Sequence, residues 1–370
     1  MNDRTTDLLP EGLEDRLPQS AAAAARIEHD AMAVLGAHGY DRVRPPLIEF
    51  EKSMATRMDG LLTRHMFRFV DPKSLRTLAL RSDITAQVGR IAATGLAEAA
   101  RPLRLSYSGQ VVRITGEQIE PRRENLQIGA ELIGSDSAAA AGEIVDLAIT
   151  ALEAAGATGI SVDFTLPDLV DTLAASTMPL ADDAKEAVRR ELDAKDAGGL
   201  KEAGGAAYLP LLFASGPFEE AAGKLGAIDD GGALATRIEG LRAIASRVAG
   251  RARLTLDPTE RHGFEYQTWF GFTLYATDVR GTLGRGGTYR IGGSDEAATG
   301  FSLFPEELVE AVKSAENLGA KVFLPLGHDR VAAADLRAAG WRTVEALFDT
   351  DEAARLGCSH VFDQGQAQPL

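Results

Sequence analysis

The sequence predicts an α+β protein built on an antiparallel sheet, and three observations carry that reading. Helical stretches alternate with pairs of strands that turn back on one another, not with single strands each followed by a helix. The 370 residues are 45% hydrophobic and 25% charged, enough apolar material for a sizeable core. Neither GxGxxG after a first strand nor GxxxxGK followed by Ser or Thr occurs, so the phosphate sites of doubly wound folds are absent.

Residues 20–38 run as strong helix formers from Ser20, a capping residue type, to Gly39, which stops them. YDRVRPPLIEF at 40–50 is extended but broken by Pro45 and Pro46, which puts it at a sheet edge or an interface. The polar stretch to Arg64 reads as loop with a short helix. From His65 the chain gives MFRFV, a turn at Asp71-Pro72, and RTLAL, an antiparallel hairpin. Residues 82–99 read as helix. A second strand pair follows, RLSYSGQVVRI and NLQIGAELIG, joined by the polar loop TGEQIEPRRE, in which Arg122 and Arg123 read as solvated charges.

An alanine-rich helix at 137–155 precedes GISVDFTL, a buried strand. Residues 168–250 turn helical and rich in alanine and glycine, a helical insertion in the main domain. Strands return in ARLTLD, YQTWFGFTLYAT and LGRGGTYRIGG, whose glycines suit tight turns first and a phosphate-cradling nest second. A helix from Glu306 to Ser314 closes the unit. The main domain is therefore expected to span 1–310, and 311–370 a small α/β tail of strand, helix and strand.

Charge narrows the function. Thirty-nine Lys and Arg against 54 Asp and Glu give −15, which opposes polyanion binding, so no nucleic-acid partner is expected. No apolar run reaches the roughly 20 residues of a membrane span. MNDRTTDLLPEG also lacks the basic-then-apolar order of an export signal. A cytoplasmic protein without membrane contact is the expectation. The single cysteine, Cys358, makes no internal disulfide and no multi-cysteine zinc site, and neither metal nor cofactor is expected.

Six separated segments, in order over residues 8–310, resemble the catalytic domain of class II aminoacyl-tRNA synthetases, specifically histidyl-tRNA synthetase. They are LLPEG, GYDRVRPPLIEF, LALRSDITAQVGR, YSGQVVRI with QIGAELIG, HGFEYQTWFGFTLY, and GGTYR ahead of GFSLFPEEL. The resemblance implies a class II antiparallel sheet with flanking helices and a homodimer formed through the Pro45-Pro46 segment. It also implies a histidine-like pocket at Asp83, Thr85, Gln127 and Glu131, with Tyr266 and Gln267 in the histidine-contact segment. Carboxylates at 83 and 131 suit an α-ammonium or a protonated imidazole, and Thr85 and Gln127 add neutral hydrogen bonds. By spacing alone Asp83 and Glu131 read as solvated strand-end charges, and the ordered match is what makes them a site; His262 reads as a packing residue.

Arg113 stands where the synthetases hold the α-phosphate of ATP, but two other arginines of the family are lost. Glu307 occupies the place of the third-motif arginine that grips the far phosphates, and an anion there repels a triphosphate. His262 replaces the arginine that steadies adenylate formation. About 60 residues follow the third motif, too few for an anticodon-binding domain of roughly 100 residues. A synthetase-like chain with these losses resembles the regulatory subunits of ATP phosphoribosyltransferase. That resemblance implies no transfer activity of its own and no catalytic residues. It implies a mixed oligomer with the short-form catalytic subunit, which joins ATP to phosphoribosyl pyrophosphate at the first step of histidine biosynthesis, and histidine as effector. The alternative is a class II ligase that adenylates histidine or a related amino acid for a non-tRNA acceptor, with Arg113 as its support.

Overall fold

The computed structural model describes residues 8–56, 66–114, 122–261, 267–313 and 319–370; His262 and Tyr266, both named above, lie outside the described residues. The chain divides into two compact units, Met1–Lys313 and Ser314–Leu370.

The strands of the first unit are β1 (Asp41–Arg42), β2 (Ile48–Phe50), β3 (Arg68–Val70), β4 (Thr77–Leu80), β5 (Leu103–Val112) and β6 (Glu124–Ile133), then β7 (Ser161–Thr165), β8 (Gly216–Pro217), β9 (Arg253–Leu256), β10 (Gln267–Tyr275), β11 (Gly284–Ile291) and β12 (Glu296–Leu303). β2, β4 and β3 make a small antiparallel sheet, the hairpin expected around Asp71. The other nine pair in the order β1-β5-β6-β12-β11-β10-β7-β9-β8. Pairing is antiparallel except between β1 and β5 and between β7 and β9. The two-residue β1 just before the prolines lies at the sheet edge, because Pro45 and Pro46 have no N–H to continue the ladder.

The helices are α1 (Pro18–Ala37), α2 (Glu51–Ala55), α3 (Thr85–Ala93), α4 (Ala138–Ala154), α5 (Leu169–Ala174), α6 (Asp182–Asp193), α7 (Ala197–Glu202), α8 (Phe218–Ile228), α9 (Ala235–Arg247) and α10 (Glu306–Val312). α1 starts at Pro18 and not at Ser20, since proline's fixed φ and missing N–H suit a first helical turn. Ser137 does cap α4, accepting from the Ala140 N–H. Between 82 and 99 only Thr85–Ala93 is helical, which leaves Asp83 on the approach to the helix.

One face of the large sheet carries the main core. Ile27 and Leu35 of α1, Ile144 and Leu147 of α4, and Leu241 and Ile244 of α9 pack with Phe164, Phe270, Phe272 and Phe301 of the sheet. Each fully buried side chain of this size contributes roughly 1.5–3 kcal/mol. The 168–250 stretch, mostly helical, also supplies β8 to the sheet edge and α9 to this core. The other face is covered at one end by Ile84 and Val88, which pack with Tyr107, Ile133 and Tyr289. The rest of that face is where polar side chains gather.

The second unit holds β13 (Lys321–Leu324), α11 (Arg330–Ala338), β14 (Arg342–Glu345), β15 (His360–Asp363) and β16 (Gln366–Pro369). Its sheet runs β14-β13-β15-β16, with β13 parallel to both neighbours and β16 antiparallel to β15. The strand–helix–strand reading of the tail thus omitted a final hairpin. Its two-residue turn, Gln364-Gly365, takes positive φ at both positions, and no Asn-Gly or Asp-Gly pair announces it.

Candidate functional site

Sheet register decides which side chains meet. Leu105, Glu131, Gly300, Gly287 and Gly271 lie in one row across β5, β6, β12, β11 and β10. Tyr107, Gly129, Ser302 and Arg285 form the next row on the same face, and Gln127 continues it beyond. Position 131 is four residues from 127, so both project to the face away from the main core.

The floor of this face is glycine. A Cβ on Gly300 would overlap the Glu131 carboxylate, one on Gly129 the Tyr107 hydroxyl, and one on Gly271 the Gln267 side chain. Long polar side chains therefore lie flat across bare backbone. Of the glycines of LGRGGTYRIGG, Gly287 belongs to this floor and lets Gln267 lie against it, Gly284 and Gly286 are inside β11 on the core face, where Leu303 and Phe272 approach the backbone, and Gly292 and Gly293 make the turn to β12.

On that floor Asp83, Thr85, Gln127 and Glu131 join one hydrogen-bond network. Asp83 Oδ1 accepts from the Thr85 N–H at 2.7 Å, and Gln127 Nε2 donates to Asp83 Oδ2 at 3.1 Å and to Ser302 Oγ at 2.8 Å. Gln127 Oε1 accepts from the Ile84 N–H at 2.9 Å, which fixes the amide's orientation. The Tyr107 hydroxyl donates to Glu131 Oε1 at 3.2 Å and lies 3.0 Å from Ser302 Oγ and 3.1 Å from Thr85 Oγ1. Tyr289 donates to Glu131 Oε2 at 2.8 Å. Gln267 is anchored to the Gly286 carbonyl at 2.8 Å.

Asp83 is 3% exposed and Glu131 1%, so the reading from spacing as solvated charges is overturned. Burial pushes the Glu131 carboxyl up to about 8; the Tyr289 hydroxyl opposes that shift and the Asp83 charge adds to it. Asp83 is also pushed up by burial, against the Thr85 N–H and the Arg113 charge. Burial moves Tyr107 well above the usual tyrosine range. Thr85, Glu131, Gln267, Arg285, Tyr289 and Ser302 line a small open cleft over this floor. Tyr107, Tyr289, Ser302 and Arg285 belong to this site although no motif singled them out. The one signal was that Tyr107, Tyr289 and Ser302 lie inside the matched segments YSGQVVRI, GGTYR and GFSLFPEEL.

Arg113 follows β5, its N–H bonded to the Arg123 carbonyl at 2.8 Å and its guanidinium 5.8 Å from the Phe304 ring. Glu307 is on α10, where Arg122 Nη1 donates to its Oε1 at 2.7 Å. Arg122 Nε donates to Glu14 Oε1 at 2.8 Å. Arg122 is therefore engaged and not solvated, because the N-terminal segment and α10 both bring carboxylates to it. Arg123 also holds that segment: its N–H donates to the Gly12 carbonyl at 2.8 Å. Glu306, 4% exposed, accepts from the Leu126 N–H at 2.5 Å and pairs with Arg16. Among the described residues no group of three or more His, Cys, Asp and Glu is placed to hold a metal ion, and no helix is long and apolar enough to cross a membrane.

Comparison with known proteins adds the following. The family model of histidyl-tRNA synthetase matches residues 12–308. A protein of Rhodospirillum centenum named ATP phosphoribosyltransferase regulatory subunit is 40% identical over 377 residues, 98% of this chain and 96% of the relative. One of the same name from Paramagnetospirillum magneticum is 41% identical over 364 residues, 95% of each. The crystal structure of an ATP phosphoribosyltransferase regulatory subunit/histidyl-tRNA synthetase from Bacillus halodurans superposes with a TM-score of 0.78 at 26% identity, covering 96% of this chain and 97% of that one. Histidyl-tRNA synthetase from a Nostoc species shares the fold, with a TM-score of 0.77 at 15% identity over 96% of this chain and 90% of that one.

Proposed function

The chain belongs to the histidyl-tRNA synthetase family, on the branch of ATP phosphoribosyltransferase regulatory subunits, and from that premise we propose that it activates a short-form catalytic subunit and senses histidine for it. As a regulatory subunit it carries no transfer chemistry of its own. The transfer of phosphoribosyl from phosphoribosyl pyrophosphate to ATP belongs to the partner, in the cytoplasm, and histidine is the feedback effector.

The observation that carries the sensing role is two buried carboxyls, Asp83 and Glu131, joined through Gln127, Ser302 and Tyr107, with Glu131 on the wall of a glycine-floored cleft. A carboxyl held protonated near neutral pH is a seat for a cation: an ammonium or imidazolium entering the cleft supplies the opposite charge that restores the carboxylate. Thr85 and Gln127 fix the geometry, Gln267 and Tyr289 form the wall, and Arg113 lies on the Asp83 side. Histidine inhibits only by binding the active and inactive assemblies unequally, a difference typically of about 1–3 kcal/mol. The exchange of arginine for Glu307, already held by Arg122, removes the grip on a triphosphate and with it the synthetase reaction.

Formation of phosphoribosyl-ATP by a short-form catalytic subunit, with and without this chain and with and without histidine, tests the proposal. Stimulation that histidine suppresses is expected; no effect of either addition overturns it. Glu131→Ala should weaken the suppression and leave assembly intact. The ligase alternative keeps one favourable observation, Arg113 acting on Asp83, and histidine-dependent pyrophosphate exchange would support it instead. Self-association is assigned to the edge at β1 and Pro45-Pro46, and a monomer at micromolar concentration on size exclusion would remove that part.

A further inference from the structure

Among the described residues that line the cleft over the glycine floor, Arg285 is the one cation. It sits on β11, opposite Ser302 of β12 on one side and Thr273 of β10 on the other. Two residues along the same strand, Gly287 lies opposite Gly300, and the Glu131 carboxyl rests where a Cβ of Gly300 would be. Arg285 and Gly300 are thus diagonal neighbours of an antiparallel ladder, about 7–8 Å apart, an interval that a long side chain spans. Neither Gly287 nor Gly300 carries a side chain that would stand between the guanidinium and the Glu131 carboxyl.

The two groups nevertheless do not cancel. Burial pushes the Glu131 carboxyl up to about 8, and the groups that act on it most after burial are Tyr289, Asp83, Thr85 and Tyr107. A guanidinium paired with that carboxyl would hold it down instead. The charge of Arg285 is felt on its other side, at Tyr275, whose hydroxyl is pushed up by burial and by the charges of Glu260 and Asp163 while Arg285 opposes that shift. Asp163 lies beyond Thr273 in the same row of the sheet. These acids, outside the cleft, help to offset the cost of a half-buried guanidinium. The cleft is therefore dipolar, with a seat for a cation at Glu131 and a donor for an anion at Arg285. A purely cationic ligand would gain at the first and be repelled at the second, whereas a ligand carrying both signs gains at each. The forked guanidinium suits a carboxylate.

We propose that Arg285 makes the cleft select an amino acid over an amine, donating to the ligand's carboxylate while Glu131 takes its cationic group. The proposal rests on the sensing role given above, and the test separates the two. Full-length chain, alone and together with short-form catalytic subunit, is titrated by calorimetry with L-histidine and with L-histidinol, in which a hydroxymethyl group replaces the carboxylate. Wild type should bind histidine at least about tenfold more tightly than histidinol. Arg285→Met should bring that ratio to about one by weakening histidine alone, with an unchanged melting temperature, and Arg285→Lys should hold histidine better than Arg285→Met. A merely structural arginine would weaken both ligands alike. If wild type binds histidinol as tightly as histidine, or if the ratio survives in Arg285→Met, the role of Arg285 fails and sensing stands. If wild type binds neither, alone or with the catalytic subunit, the sensing role fails and takes this one with it. Tighter histidine binding by Arg285→Met would mean that the arginine obstructs the cleft, which also overturns the proposal. Should Arg285→Met lower the melting temperature, Arg285→Gln, polar but uncharged, is read in its place with the same ratio expected.

Discussion

Replacing Glu131 by glutamine should make the ligand-free protein more stable while removing its ability to hold a cation. The carboxyl is shifted from its ordinary 4.5 to about 8, so between those values the folded protein keeps a proton that the unfolded chain has released. Stability from that proton is complete below the ordinary value and lost as pH rises through the folded one. At 1.36 kcal/mol per unit, the cost relative to a neutral group is near zero below pH 4.5, about 3 kcal/mol at pH 7 and about 5 kcal/mol above pH 8. Glutamine has the same shape and leaves the hydroxyls of Tyr107 and Tyr289 with partners, since each hydroxyl can accept as well as donate. It also removes the repulsion that Asp83 feels, which acts in the same direction. Urea denaturation of both proteins at pH 5, 7 and 8.5 reads this directly. The gap should be small at pH 5 and widen to about 3 kcal/mol at pH 7, with histidine binding lost in the variant. A variant no more stable than wild type at pH 8.5 would refute the argument that Glu131 is a destabilised carboxyl kept for its ligand.

Histidine binding near pH 7 should expel a proton from Glu131, so its calorimetric heat should differ between phosphate and Tris, and affinity should rise toward pH 8; equal heats in both buffers would contradict this. Gly300→Ala should cost about 1–3 kcal/mol of stability by overpacking and abolish binding, because the new methyl takes the place of the Glu131 carboxylate; thermal melting and calorimetry check both. Arg122→Ala should cost about 1 kcal/mol at low salt and less at high salt, since it leaves Glu14 and Glu307 without their shared guanidinium, and urea midpoints in the two salts show whether it does. Glu307→Arg should not create histidine-dependent pyrophosphate exchange, because His262 still stands in for the second lost arginine.

The sheet-facing half of the site was legible because its residues sit in motifs. Gln127 and Glu131, four apart on one strand, share a face by the two-residue period alone. Tyr107, Ser302 and Tyr289 also sit in matched segments, but their meeting at Glu131 was not legible, because it depends on the order β5-β6-β12-β11, and pairings between strands so far apart in sequence leave no local trace. Arg122 was misread for the same reason: its carboxylates come from positions 14 and 307. The glycines of β11 were misread through a different ambiguity. Glycine marks both a turn and a close approach to backbone, and only the identity of what lies above it decides between them. Burial of Asp83 and Glu131 is likewise a property of the assembled walls, invisible to spacing.

The glycine floor has a consequence for how such a protein diversifies. A floor of bare backbone offers no side chain to exchange, and any substitution in it adds bulk where Glu131, Tyr107 or Gln267 already lies. Variation in ligand preference therefore has to enter through the walls, at Gln267, Tyr289, Ser302 or Thr85, where a single replacement alters shape or polarity and leaves the strands in register. Relatives that recognise a different small molecule should keep the glycines of β6, β10, β11 and β12 and differ along that rim. A laboratory selection for new specificity would recover its solutions in the same places.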